Sequence, residues 1–193
     1  MLSTLSSKIR ACTASQVAQL WFPSVQAARL RLRALVEENF LRDHELACHP
    51  MLEITEPIFS WCPQQLPPDI QAISYQLRKR WKMALTPTRI YRPSAKTLGI
   101  FGYKPRVLSA VQVTHDLHVT EIYLLLKKRS PERAARWKGE AEIASESRGG
   151  KCPDALIVGS PSIEIEFGGS YPPHRVAKVH AACAEKSAAY EIW

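Results

Sequence analysis

Lys151–Ser170 reads KCPDALIVGSPSIEIEFGGS. A Pro-Asp pair opens a short apolar run, and after nine residues Glu-Ile-Glu stands inside a second one. Ala155–Val158 predicts a strand, Gly159–Ser162 a turn, and Ile163–Phe167 a second strand returning as a hairpin. Alternation along the second strand puts Glu164 and Glu166 on one face, with Ile163, Ile165 and Phe167 on the other. An antiparallel return carries Asp154 level with the later part of that strand, so three carboxylates converge at one end of the hairpin. Like charges this close disfavour one another unless a cation neutralises them. Mg²⁺ or Mn²⁺ with oxygen ligands is the natural partner, and a metal so held activates water and stabilises charge on a phosphate. A solvent-facing polar stripe on an antiparallel sheet has the same spacing, and the spacing alone leaves both readings open.

The flanking sequence extends this hairpin into a mixed α/β unit. A helix capped by Thr114 or Asp116 carries Val119, Ile122, Tyr123 and Leu126 at helical spacing and ends in Lys127-Lys128-Arg129, where cations suit the helix dipole. A short helical turn and Trp137 lead into a strand expected to hold Glu140 and Glu142, and Gly149-Gly150 reads as a turn. After the hairpin, Gly168-Gly169 and Pro172-Pro173 make a loop. A helix is then expected from His174 to Tyr190, carrying Arg175, Lys178 and Lys186.

Charge separates the two halves of the 193-residue chain. Lys and Arg outnumber Asp and Glu by 15 to 7 in residues 1–106 and match them 11 to 11 in residues 107–193, so the net charge of +8 sits in the first half. A basic half joined to a neutral one fits a nucleic-acid-binding module attached to something else. Thr13 or Ser15 can cap a helix with Val17, Leu20 and Trp21 on its apolar stripe; Pro23 breaks it, and Ser24 caps the next. That second helix, Val25 to Glu38, buries Ala28, Leu32, Leu35 and Val36 and presents Gln26, Arg29, Arg33 and Glu37 on another face. Two helices joined by a short turn, the second Arg-rich, match a helix-turn-helix. Phe40-Leu41 leave the helix and Met51–Ile54 reads as a returning strand, a hairpin wing; together these predict a winged helix. In a major groove Ser24, Gln26, Arg29 and Arg33 reach bases, Arg pairing with guanine and Gln with adenine. Arg31 and Arg42 suit phosphates, which position without specifying sequence. A winged helix used for dimerisation, with a solvated Arg face, is the competing reading.

Between the halves, Asp69 caps a helix with Ile70, Ile73, Leu77 and Trp81 on one face and Arg78, Lys79, Arg80 and Lys82 on the rest. The expected organisation is residues 1–60 as winged helix, 61–106 as basic helix and linker with a junction near Lys104–Leu108, and 107–193 as the mixed α/β domain. A hydrophobic content of 46% suffices for real cores, and no apolar run is long enough to span a bilayer. The first residues lack a signal-peptide pattern, which predicts a cytoplasmic location. Five widely spaced cysteines do not make a disulfide framework. His44, Cys48, His49 and Cys62 lack the paired spacing of a zinc site.

Pro153-Asp154 followed by Glu164-Ile165-Glu166 resembles the core of the PD-(D/E)xK nucleases. The resemblance implies a restriction-endonuclease-like fold in which Asp154 is the first metal-binding acid, Glu164 the second and Glu140 an additional one. Glu166 stands where that family has its lysine, and Lys178 or Arg175 from the following helix would have to replace it. The order of the segments, from a winged helix through IYRPS, THDLHVTEIYLLL, WKGE, CPDALIV and IEIEFGGS to HRVAKVHAACAEKSAAY, is similar to the replication-relaxation family of plasmids, phages and other mobile elements. That likeness implies double-stranded DNA as partner, a role in replication or transfer, and a homodimer or larger nucleoprotein complex. The expectation is a DNA-binding protein with a nuclease-like domain. Its rivals are an active Mg²⁺- or Mn²⁺-dependent endonuclease using Asp154, Glu164, Glu166 and Lys178, and an adaptor subunit.

Overall fold

The computed structural model describes residues 1–105, 110–146 and 152–193. The fold is mixed α+β, with nine helices and two sheets among the described residues. The first half holds α1 (Leu2–Ser7), α2 (Ala14–Trp21), α3 (Val25–Glu37) and β1 (Leu41–Cys48), followed by β2 (Phe59–Trp61), α4 (Ile70–Lys79), β3 (Thr86–Pro93) and α5 (Ala95–Ile100). The second half holds α6 (Ala110–Arg129), α7 (Pro131–Ala135), β4 (Trp137–Gly139), α8 (Glu140–Glu146), β5 (Ala155–Ile157), β6 (Ile163–Glu166), α9 (Pro173–Glu185) and β7 (Ala189–Ile192).

Local chemistry sets α2, α3 and α4 where expected, whereas α1 has no side-chain cap and was not foreseen. Thr13 and Gln16 form a reciprocal capping box at α2. Ser24 caps α3 by accepting from the Ala27 amide, and Asp69 caps α4 by accepting from the Ala72 amide. Ala28, Leu32 and Leu35 of α3 are buried, as its periodicity requires.

The return of β1 differs from expectation. Met51–Ile54 is not a strand; β1 pairs antiparallel with β3, Leu41 opposite Pro93 and Cys48 opposite Thr86. The reason lies in the backbone donors: Pro50 has none, and the Leu52 amide donates to Nε2 of His118 instead of to a strand. A short bridge between Cys12 and Tyr91 adds a third extended segment beside this pair. The chain between β1 and β3 does not run as a simple connection, because β2 joins the second sheet through β7 and α4 packs against α9.

That second sheet has the order β2-β7-β6-β5-β4. β4, β5 and β6 form an antiparallel meander, and β6 pairs in parallel with β7 after the α9 crossover. The helix expected to reach Tyr190 stops at Glu185, Ser187 takes a left-handed conformation at φ 51°, and Ala189–Ile192 enters the sheet fully buried. One face, with Trp137, Ala155, Ile157, Ile165 and Phe167, packs against Val119, Ile122 and Tyr123 of α6. The other, with Trp61, Tyr190 and Ile192, packs against Ile73 and Leu77 of α4 and Val176, Val179 and Cys183 of α9.

Two further expectations are corrected. Thr114 and Asp116 do not cap α6, which already runs from Ala110; Thr114 Oγ1 accepts the His49 amide and Asp116 pairs with His115. Glu140 and Glu142 are not on a strand but in the first turn of α8, where the helix dipole favours carboxylates. The turn expected at Gly149-Gly150 lies outside the described residues, as do residues 106–108 of the expected junction.

The strand ends at Gly139 because α1 closes over it. A β-carbon there would lie 2.5 Å from the Ser7 carbonyl oxygen and 2.6 Å from that of Lys8. Gly139→Ala is therefore expected to destabilise the protein by about 1–3 kcal/mol in urea denaturation, the usual cost of overpacking against backbone; unchanged stability would show that α1 is free to shift.

Candidate functional site

The hairpin brings Asp154 and Glu166 together and leaves the other expected ligands apart. Ala155 pairs with Ile165, so Asp154, one residue earlier, stands level with Glu166 at the sheet end. Asp154 Oδ2 accepts the Phe167 amide at 2.8 Å and His115 Nε2 at 2.9 Å. His115 also stands 3.5 Å from Asp116. Burial opposes charge on this imidazole, but hydrogen bonds to Asp116 and Asp154, and their charges, outweigh it and push its pKa up to about 10. At neutral pH His115 is thus an imidazolium held between two carboxylates.

Glu166 is buried, with the Tyr171 hydroxyl 3.5 Å from Oε2. Burial, then the charges of Glu166 and Asp154, push the Tyr171 phenol upward, so it stays a protonated donor. Glu164 lies two residues earlier on β6 and faces the end of α9, where Lys186 Nζ approaches it to 3.1 Å and the Cys183 thiol donates at 3.5 Å. Glu140 pairs with Arg10 at 2.8 Å and Glu142 with Lys8 at 3.6 Å. Glu140, Asp116, Asp154, His115, Lys8 and Arg10 line one cleft of about 20 Å³, room for roughly one water.

The ligand set Glu140, Asp154 and Glu164 is therefore not assembled. Among the described residues no three His, Cys, Asp or Glu side chains are arranged to hold a metal ion, the His44, Cys48, His49 and Cys62 set included. The physical reason is that each acid already faces a cation of the chain: Asp154 has His115, Glu140 has Arg10, and Glu164 has Lys186. Mg²⁺ or Mn²⁺ at these acids would have to displace those cations, and as arranged the residues do not fit one. Lys178 does not fill the lysine slot. It is exposed on α9 and bonds none of the acids, whereas Arg175 reaches inward, its guanidinium 4.1 Å from the Tyr171 ring centre and 3.4 Å from the hydroxyl.

The residues expected at DNA lie elsewhere and together. Ser24, Gln26, Arg29, Arg31, Arg33 and Arg42 are all exposed, and none of the four arginines has a carboxylate within ion-pair distance among the described residues. Arg29 and Arg33 border a groove of about 960 Å³ between α3 and the β1–β3 pair, whose walls also carry Glu37, Asp43, Glu45 and Arg89.

Three groups were missed by sequence reasoning. His115 sits in the quoted THDLH segment, where a His beside an Asp was a visible signal. Arg10 carried none. Arg80 looked like one of four surface cations, yet its guanidinium lies 4.8 Å over the Phe167 ring, donates to the carbonyls of Gly168 and Trp193, and has its pKa lowered to about 10 by burial.

No protein-family model, curated protein or solved structure matches the chain.

His118 is the group expected to make the stability of the fold depend on pH. It is fully buried and stacks on Phe167 with ring centres 4.7 Å apart. Its Nδ1 bonds the Thr114 carbonyl and its Nε2 accepts the Leu52 amide, which fixes the neutral tautomer. Burial above all pulls its pKa down to about 4. The unfolded chain binds this proton near pH 6.5, so the stability from the neutral ring is present above pH 6.5 and is lost as pH falls towards 4, amounting to about 3 kcal/mol. Urea denaturation across that range is expected to show the decline in wild type and a flatter profile in His118→Asn. Parallel profiles would assign the decline to other groups.

Proposed function

We propose that this chain is a DNA-binding protein of a mobile element, gripping duplex DNA with α3 and carrying a nuclease-like second unit whose acids serve as ion-pair partners. The observation that carries the reading is the exposed arginine face of α3, none of whose arginines is ion-paired among the described residues, in the half that bears the whole +8 excess. Its setting supports a winged helix: α2 and α3 meet across the three residues Phe22–Ser24, and β1, β3 and the Cys12–Tyr91 bridge follow as the wing. Glu37, Asp43 and Glu45 oppose a phosphate deep in the neighbouring groove. The contact therefore runs along the outer face of α3 ahead of Glu37, with Ser24, Gln26, Arg29 and Arg33 towards bases and Arg31 and, on β1, Arg42 towards phosphates.

Arg29→Ala and Arg33→Ala are each expected to weaken duplex binding by about 1–3 kcal/mol, and Arg31→Ala to reduce the salt slope by about 1. Fluorescence anisotropy over a salt series measures both, and wild-type affinity and slope in all three variants would refute the placement.

A second reading, metal-dependent phosphodiester cleavage, has one observation in its favour: Asp154 and Glu166 stand level on adjacent strands. The cations on Asp154, Glu140 and Glu164 oppose it. Supercoiled plasmid incubated with protein and Mg²⁺ or Mn²⁺ is expected to stay intact. Cleavage by wild type that disappears in both Asp154→Ala and Glu166→Ala would establish the enzyme.

A further inference from the structure

A second groove, separate from α3, opens between the first half of the chain and the end of the five-stranded sheet. Its volume is about 490 Å³, within the ~300–1,000 Å³ of ordinary small-ligand sites. Trp81, Phe167 and Tyr171 supply its aromatic walls, with His49, Leu85 and Arg175 around them. Phe167 and Tyr171 are buried, and Phe167 is covered by the stacked His118 ring and by Arg80, so these two form the floor and half-buried Trp81 is the ring that a ligand reaches. Trp81 meets Phe167 at 5.9 Å and His49 at 5.1 Å, both edge-on. Arg80 packs over Phe167, and the Arg175 guanidinium lies over Tyr171.

The composition of the lining selects its occupant. Among the described residues no carboxylate lines the groove, Glu166 lying behind Tyr171, whereas Arg175 is an exposed cation on it. An apolar peptide would bury Arg175 without a charge partner, and a small carboxylate would leave Trp81 uncovered. A nucleotide satisfies both, its base against Trp81 and Leu85 and its phosphate on the guanidinium. Positive charge also continues past the groove. Lys82 follows Trp81 directly and is exposed, and Arg78 and Lys79 are exposed on the last turn of α4. A lone nucleotide has no further phosphates for these cations; a strand does.

We infer that the groove of Trp81, Phe167, Tyr171 and Arg175 takes an unpaired nucleotide of single-stranded DNA, with the strand's neighbouring phosphates on Lys82 and the end of α4. The protein then has two nucleic-acid contacts of different kind: a helix face for duplex, and an aromatic cradle for a base that has left its pair. Neither contact depends on the other, and the test reads them separately.

The full chain is titrated against a fluorescein-labelled oligothymidine of about 15 nucleotides, near the upper site size of single-strand-binding folds, and against a duplex in parallel. Arg175→Glu and Leu85→Glu each replace an exposed residue, and both variants are checked by thermal melting. Each is expected to weaken oligothymidine binding by about tenfold or more, as loss of one stacked or charge-paired nucleotide does, and to leave duplex binding as in wild type. The Arg29→Ala, Arg33→Ala double variant is expected to do the reverse. The inference is overturned if wild type does not bind oligothymidine, if folded Arg175→Glu and Leu85→Glu bind it as wild type does, or if thymidine monophosphate displaces it at equal nucleotide concentration, which would make the groove a free-nucleotide site. Leu85→Glu, on an exposed loop, decides the matter alone should Arg175→Glu not fold.

Discussion

The fold depends on α6 being buried along most of its length. A helix apolar on one stripe sits at a surface; one enclosed on all sides must satisfy its polar groups from neighbours. Val113 and Leu117 pack on Ala11, Cys48 and Ile90, while Val119, Ile122, Tyr123 and Leu126 pack towards α2, α3 and the sheet. The buried polar residues on the same helix are engaged. Thr120 donates to the Ala11 carbonyl, Gln16 donates to the Leu117 carbonyl and to Glu121, and His118 accepts from Leu52. One helix thereby holds the first half of the chain against the second, and it places His115 at the sheet end where Asp154 arrives.

The acids at that sheet end follow from the same enclosure. An ionised carboxylate out of water is costly unless a cation or several donors meet it. Here the cations come from three different elements: His115 from α6, Arg10 from the segment after α1, and Lys186 from beyond α9. Two of these pairs tie α6 and the end of α9 to the sheet, and the third ties the segment after α1 to α8. The arrangement also divides the acids. Asp154 and Glu166 share the Tyr171 side of the sheet end, and Glu164 belongs to the α9 terminus. The aromatic groove opens beside the first pair, so the chemistry of this region belongs to Tyr171, Arg175 and Trp81 as much as to the acids.

Much of the local structure was legible in the sequence because its causes are local. The hydroxyl of Thr13, the hydroxyl of Ser24 and the carboxylate of Asp69 mark helix starts within three residues of the amides they accept. The 163–167 alternation put Glu164 and Glu166 on one face, and the turn before it made the hairpin. The buried and exposed sides of α3 followed from 3.6-residue periodicity, and every residue assigned to its outer face is exposed. The misses have the opposite character. The partner of β1 lies beyond the next helix, and no periodicity distinguishes Thr86–Pro93 from Met51–Ile54. Ala189–Ile192 continues the small-residue rhythm of α9 and becomes a strand only because β6 offers it an edge.

The sequence by itself therefore determined the starts of α2, α3 and α4, the acid-bearing hairpin, the basic half and the arginine face, since each is written in spacing a few residues long. Only the tertiary structure decided what the acids do. Arg10, His115 and Lys186 lie from 22 to 130 residues away from the carboxylates they neutralise, and no local pattern encodes a charge pair across such distances. Packing α6, α1 and α9 around one sheet brings those cations to the acids, and it leaves the open cavity on the aromatic side.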